Sequence, residues 1–233
     1  MKLVHYRNIG LPKTGTTWLW LQLSTHPDID FFTSRTNNDK IECIVDNNNR
    51  LNTNHSIKEK KFNTSDEYLK FYENYNISLN FDTWFFDNSN KEILEKTSHL
   101  SLIFRNPYEL LESWYNFAMK DLSSPEHFFT LYNKNLLCLT NYEKILTYWS
   151  KFNLKIMFYD DIIDNPSQFM GNVCDFLEIK SHYDDELGKK IILKTDHLTK
   201  IILSKNLISY LNYKISYIEN FTKRDLSHWK HKI

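Results

Sequence analysis

The 233-residue chain reads as an α/β protein built from βαβ units around a parallel sheet, and three features say so. Short β-like runs alternate with longer helical patterns, the order expected of crossover units. Near the start, an apolar run enters a glycine-bracketed loop and a helical pattern leaves it. Pro107, Pro125 and Pro166 each follow Asn or Ser, which sets a capping residue before a proline at the first helical position.

The elements follow in order. LVHYRNIGL (3–11) is the first strand, and 16–25 the helix after it. TNNDKIECIVDNNNRLNTNH (36–55) is the one biased stretch, polar and long enough to be a surface loop or a mobile substrate flap. A helical pattern at 65–75 precedes the strand NISLNF (76–81), and SLIFR (101–105) forms the next strand. Helix 107–120 shows its two faces clearly. Leu110, Leu111, Trp114, Phe117 and Ala118 make an apolar stripe, while Glu109, Ser113, Asn116 and Lys120 line the other side. A helix at 136–152, the strand LKIMFYD (154–160) and helices at 166–178 and 204–219 complete the series. No internal repeat or Pro/Gly/Ser linker divides the chain. Residues 1–233 therefore fit a single domain, although the length leaves room for two small ones.

Composition excludes several classes. Hydrophobic residues at 41% and aromatics at 15% supply a sizeable core, so wholesale disorder does not fit. Lys plus Arg and Asp plus Glu both total 29, giving no net charge. Nucleic acid and anionic membranes select for basic patches, so neither is an expected partner, and any anion site must be local. No run of ~18 apolar residues is present to span a bilayer. The opening segment lacks the apolar stretch of a signal peptide, because Arg7, Pro12 and Lys13 interrupt it. Cys43, Cys138 and Cys174 match no metal or redox spacing and read as reduced core residues. Four Asn-x-Ser/Thr sequons, at Asn54, Asn63, Asn76 and Asn220, are close to chance in so Asn-rich a chain. Together these features lead to the expectation of a cytoplasmic protein without a metal site.

The segment GLPKTGTTWL carries the strongest signal. The chain has four glycines, and two of them, Gly10 and Gly15, bracket this loop. A strand–loop–helix turn aims backbone N–H groups and the positive helix end at one point, where a phosphate or sulfate can sit. Gly15 lets the backbone approach the anion, Thr16 and Thr17 add hydroxyls, and Lys13 adds a mobile positive charge. An ordinary βα turn with a surface lysine is the plainer account of a lone GxxxxG. Glycine scarcity, the threonine pair and the flanking elements favour an anion site. It is not a Walker A loop, which needs Lys and then Ser/Thr after the second glycine. Lys13, two positions before that glycine, and the lack of an acidic strand end for Mg²⁺ weigh against an ATPase or metal-dependent kinase, the rival reading.

A second anion clamp lies in SLIFRNPYELLESWYNF. Arg105 stands at the carboxyl end of a strand, the edge where open parallel sheets bind ligands. Ser113, eight residues on, lies on the polar stripe of the following helix. Arginine's planar fork and a serine hydroxyl suit a terminal phosphate. Taken alone, an arginine paired to a nearby carboxylate and a water-facing serine would be the simpler account.

PKTGTTWL (12–19) and RNPYELLES (105–113) resemble the 5′-phosphosulfate and 3′-phosphate signatures of the PAPS-dependent sulfotransferase family, PAPS being 3′-phosphoadenosine 5′-phosphosulfate. THPDI (25–29) is similar to members acting on glycans, including the heparan sulfotransferases. SPEHFFTLY (124–132), the stretch 146–179 and YIENFTKRDLSHW (217–229) extend the likeness over most of the chain. The resemblance implies a three-layer P-loop-like α/β fold with a central parallel sheet flanked by helices. It implies transfer of a sulfuryl group to an acceptor hydroxyl, on a carbohydrate first and on a lipid or small metabolite next. Lys13, Thr14, Gly15, Thr16 and Thr17 would hold the 5′-phosphosulfate, and Arg105 and Ser113 the 3′-phosphate. Trp18 and Tyr159 would lie near the adenine. Lys194 is the candidate for the family's further basic contact to the nucleotide.

Sulfuryl transfer needs in-line geometry and charge stabilisation on the leaving phosphate, which Lys13 and backbone N–H groups can supply without a metal. The acceptor hydroxyl needs a base. His99, in KTSHL, resembles the catalytic Lys-Thr-His of cytosolic family members, but spacing argues against it, since five residues at ~3.3 Å each put it about 16 Å from the carboxyl edge of its strand. In glycan-type members the base is a glutamate after the His-Pro-Asp segment, and Glu42 is the sole glutamate between Pro27 and Glu59. Ile41 separates Lys40 from Glu42, where the family tends to have Lys-Glu adjacent. Asp82, after strand 76–81, is the second candidate, or else positions substrate. A nucleotide-binding module without catalysis is the alternative if neither carboxylate reaches the sulfur.

Overall fold

The computed structural model describes residues 4–9, 11, 13–29, 32–37, 40–45, 58–62, 77–81, 98–118, 140–191 and 201–232. In chain order the strands are β1 (Val4–Asn8), β2 (Phe32–Asn37), β3 (Lys40–Val45), β4 (Lys58–Phe62), β5 (Ile77–Phe81), β6 (His99–Phe104) and β7 (Leu154–Phe158). The helices are α1 (Thr16–Ser24), α2 (Pro107–Ala118), α3 (Tyr142–Trp149), α4 (Tyr159–Asp164), α5 (Pro166–Phe176), α6 (Asp185–Ile191) and α7 (Lys205–Thr222). Two compact units result, one from Met1–Ile103 and Asn153–Leu193, the other from Phe104–Phe152 and Lys194–Ile233.

The first unit holds the α/β core. Its main sheet has the order β5-β1-β6-β7. β1 runs parallel to β5, from Val4↔Ile77 to Asn8↔Phe81, and parallel to β6, from Tyr6↔His99 to Asn8↔Ser101. Such pairing is the product of crossover connections, as the alternation in the sequence predicts. Tyr6, Ile103 and Met157 from the strands meet Trp18, Leu19 and Leu23 of α1 and Ile162, Phe169 and Val173 of α4 and α5. α5 begins where Pro166 follows Asn165, whose side chain accepts from the Gln168 N–H at 3.1 Å. Cys174 is buried in this core as a free thiol, pushed up in pKa by burial.

Two expectations need correction here. The polar stretch 36–55 is not wholly a loop, because β2 and β3 pair antiparallel from Phe32↔Val45 to Asn37↔Lys40, and β4 adds to β3. Ile41, Ile44 and Val45 are β-branched and suit a pleated strand, a signal that the surrounding asparagines masked. The strand expected at 154–160 stops at Phe158, and Tyr159 opens the short helix α4. The helix expected at 65–75 lies outside the described residues.

The second unit is helical. α3 starts at Tyr142, later than the expected 136, because Asn141 caps it by accepting from the Lys144 N–H at 3.4 Å. Lys214 of α7 donates to both carboxylate oxygens of Glu143 on α3, at 2.6 and 2.7 Å. Tyr108 of α2 donates to Asn212 of α7 at 2.8 Å. Ser204 caps α7, and Lys223 ends it in a left-handed conformation at φ 59°. Among the described residues no helix is long and apolar enough to cross a membrane.

Candidate functional site

The loop between β1 and α1 is built from the strand outward. β1 continues its parallel ladder one residue past its end, with the Ile9 N–H donating to the Ser101 carbonyl at 2.8 Å. Leu11 is buried and anchors the turn. Thr14, also buried, donates from its hydroxyl to the Leu11 carbonyl at 2.7 Å and so cross-braces the loop. Lys13 adopts φ 66° and Gly15 φ 90°, both in the left-handed region. A lysine held there is the kind of local strain that clusters at functional sites.

Gly15 is required for two reasons. Its φ disfavours any side chain, and a Cβ there would sit 2.9 Å from Ile162 Cδ1 and 3.1 Å from Tyr159 Cδ2. The two side chains come from α4, which therefore presses directly on the loop. Gly15 is the N-cap of α1, no side chain caps this helix, and its first turn has no acidic residue. The first-turn amides thus lack an intrahelical partner, and the positive end of the dipole is not offset locally. Thr17 is exposed, while Thr16 is buried.

Beneath the loop lies a polar trio that the sequence reading missed. Tyr6 and Asn8 of β1 and Ser101 of β6 are all buried on one face of the sheet. The Tyr6 and Ser101 hydroxyls are 2.5 Å apart, and Asn8 Nδ2 donates to Ser101 Oγ at 2.7 Å. Burial pushes the Tyr6 phenol up to about 12, against a lowering by its bonds to Ser101 and Asn8. The only sequence signal was the i, i+2 spacing of Tyr6 and Asn8 in a strand that carries the loop.

In the second unit, Arg105 follows β6 directly and Asn106 caps α2, accepting from the Tyr108 N–H at 3.1 Å. Arg105 donates to Glu109 Oε2 from Nη2 at 3.2 Å and from Nε at 3.3 Å. This is the carboxylate pairing weighed above as the simpler account. Arg105 is 17% exposed and Glu109 54%, and an i, i+4 pair with so exposed a carboxylate contributes little to stability. Ser113 is half-buried two turns along α2.

Residues 9–233 match the family model for the sulfotransferase domain. The chain belongs to the sulfotransferase family. Its fold is similar to that of a solved sulfotransferase from Alicyclobacillus acidocaldarius, at 15% identity and a TM-score of 0.65, over 98% of this chain and 99% of that one. It is also similar to the sulfotransferase domain from the curacin biosynthetic pathway, at 13% identity and a TM-score of 0.50, over 93% and 98% of the two chains. No curated protein matches the sequence.

The other expected site residues of this sulfotransferase fall into four groups. Tyr159 lies against the loop at Gly15, as noted. Trp18, the other residue expected near the adenine, lies in the core. It is 3% exposed and packs edge-on against Phe169 at 5.9 Å, so it supports the loop's helix from within the core. Glu42 sits inside β3, with its Cα opposite Arg35 on β2 and Lys61 on β4. Asp82, directly after β5, and Lys194 lie outside the described residues.

Two histidines have structural duties. His99 opens β6 at the end away from Phe104, is buried, and bonds through Nδ1 to Ser98 Oγ at 2.8 Å. The His-Pro-Asp segment forms a turn after α1. His26 Nδ1 accepts from the Asp28 N–H at 3.1 Å, which leaves Nε2 to donate to the Lys180 carbonyl at 2.7 Å. Among the described residues no cluster of His, Cys, Asp or Glu could hold a metal ion.

Proposed function

We propose that this sulfotransferase takes its sulfuryl group from PAPS and passes it to a hydroxyl of a carbohydrate. One observation carries the reading: the Lys13–Thr17 loop, in which left-handed Lys13 and Gly15 leave the uncapped N-terminus of α1 open to an anion. The 5′-phosphosulfate would be held by these amides, by Lys13 and by the Thr16 and Thr17 hydroxyls. Thr14 would contribute through its backbone, because its hydroxyl is already used on Leu11. Arg105, released from Glu109, and Ser113 would take the 3′-phosphate. Tyr159 would flank the adenine, and Lys194 is the candidate for a further contact.

In the reaction the acceptor oxygen bonds to sulfur as the bond between sulfur and the phosphate oxygen breaks. The products are the sulfate ester and 3′,5′-adenosine bisphosphate. Lys13 and the α1 amides stabilise the charge that develops on the leaving phosphate. The acceptor's proton passes to a carboxylate, Glu42 in the first instance and Asp82 in the second. The family model's span to residue 233 supports a single sulfotransferase domain, and a buried unpaired thiol at Cys174 suits a cytoplasmic setting.

The test is transfer from radiolabelled PAPS, with oligosaccharides, lipids and phenols as competing acceptors. Label on oligosaccharide hydroxyls, undiminished by a chelator, is the expected result. Turnover of ATP with Mg²⁺ and no label transferred from PAPS would replace this reading with a kinase.

A further inference from the structure

We propose that a pocket in the second unit binds a small apolar molecule bearing a protonated amine, with Glu112 as its counter-charge. The proposal does not depend on the identity of the sulfuryl donor. The pocket has a volume of about 110 Å³, and Leu111, Leu203 and Ile208 give it aliphatic walls. Tyr108 and His231 form its aromatic side, their rings stacked at 3.7 Å and only 4° from parallel.

The polar groups of this lining are unequally occupied. The Tyr108 hydroxyl donates to Asn212 Oδ1 at 2.8 Å and to the Ile208 carbonyl at 3.1 Å. The main chain of His231 is held at both ends by Asn212, its carbonyl accepting from Nδ2 at 2.8 Å and its N–H donating to Oδ1 at 3.1 Å. The C-terminal tail is therefore a built wall of the pocket. Glu112 differs. Its half-buried carboxylate accepts one long hydrogen bond, from the Ile201 N–H at 3.4 Å. Among the described residues it has no ion pair and no second hydrogen bond.

A carboxylate offers about four acceptor positions, and setting it among aliphatic walls without a counter-charge is unfavourable. An ammonium group answers that deficit with three donors and a full positive charge. The volume limits the rest of the ligand. A 150 Å³ cavity in another protein holds benzene, so this smaller but open pocket takes a group of at most about ring size, with the rest of the ligand at its mouth. A peptide or polysaccharide chain does not fit that space, although its single terminal group would.

The experiment titrates the full chain at pH 7 with benzylamine, n-butylamine and, as the neutral isostere, benzyl alcohol, followed by NMR. Wild type, Glu112→Gln and Leu203→Trp are compared, with melting curves to verify folding. Both amines should bind saturably and benzyl alcohol about tenfold more weakly, the size of one lost charge-assisted contact. Glu112→Gln should bring the amines down to the alcohol's level and leave the alcohol unchanged. Leu203→Trp, which fills the space and keeps the charge, should abolish all three. Equal binding of alcohol and amine, amine binding that survives both substitutions, or no saturable binding would each overturn the proposal.

Discussion

Replacing Gly15 by alanine tests the loop with a single methyl group. At φ 90° an alanine pays the left-handed penalty of roughly 1–2 kcal/mol. Its Cβ would also meet Ile162 Cδ1 at 2.9 Å and the Tyr159 ring at 3.1 and 3.2 Å. Overpacking against a buried side chain such as Ile162 costs typically ~1–3 kcal/mol. The sum, about 2–5 kcal/mol, should lower Tm by roughly 4–20 °C in a chain of this size. Binding of 3′,5′-adenosine bisphosphate should fall with it, since the loop can escape the clash only by moving. The steric part can be separated from the backbone part. Ile162→Val alone should destabilise by ~0.5–1.5 kcal/mol as a core truncation. In the Gly15→Ala background the same change removes the clashing Cδ1, so the double variant should be more stable than the sum of the singles by about 1 kcal/mol. Urea unfolding and calorimetric nucleotide titration of the four proteins supply both readouts. Strict additivity, or a Gly15→Ala protein that melts and binds like wild type, would refute the geometry of the loop.

Four further outcomes are expected. Lys13→Ala should cut turnover at least ~100-fold in a folded protein, as charge stabilisation at the leaving phosphate is lost; unchanged turnover would remove Lys13 from the chemistry. Arg105→Ala should weaken 3′,5′-adenosine bisphosphate by ~2–5 kcal/mol and adenosine 5′-phosphosulfate far less, whereas Glu109→Gln should tighten the bisphosphate by removing Arg105's competing partner. Equal losses for both nucleotides in calorimetry would contradict a 3′-phosphate clamp. Glu42→Gln should retain PAPS binding and lose most transfer, and Asp82→Asn assayed beside it would move the base to the end of β5 if only that variant fails. Tyr6 provides the pH test: its phenol is raised to about 12 by burial, so its contribution is fully present below an unfolded value near ~10 and is lost as pH climbs toward 12. About 2–3 kcal/mol of stability is at stake, and Tyr6→Phe should flatten the fall in urea midpoint between pH 10 and 12; an unchanged slope would clear Tyr6.

What the sequence determined alone was whatever a few neighbouring residues decide. The glycine at 15, the lysine at 13 and the strand and helix on either side mark out the loop proposed to hold the anion, because left-handed backbone and an open helix start are local properties. The caps at Asn106 and Asn165 were legible for the same reason, since an Asn-Pro pair shows both the acceptor and the proline that follows it. Even Arg105's pairing with Glu109 is an i, i+4 relation that the helix period makes available. Tertiary structure decided the rest. The β2–β3–β4 sheet forms because strands find partners, and its polar sequence hid a pairing that no single segment displays. Trp18 is buried because α5 packs against it, and a helix reading WLWL cannot say which of its apolar sides is covered. Tyr6 and Ser101 stand 95 residues apart in the chain and 2.5 Å apart in space only because β6 was inserted beside β1. The unmatched charge of Glu112 likewise emerges once Ile201, nearly ninety positions later, and the C-terminal His231 close around α2. Pairing over such separations is chosen by the burial of whole faces, a collective quantity that residue-by-residue pattern does not contain.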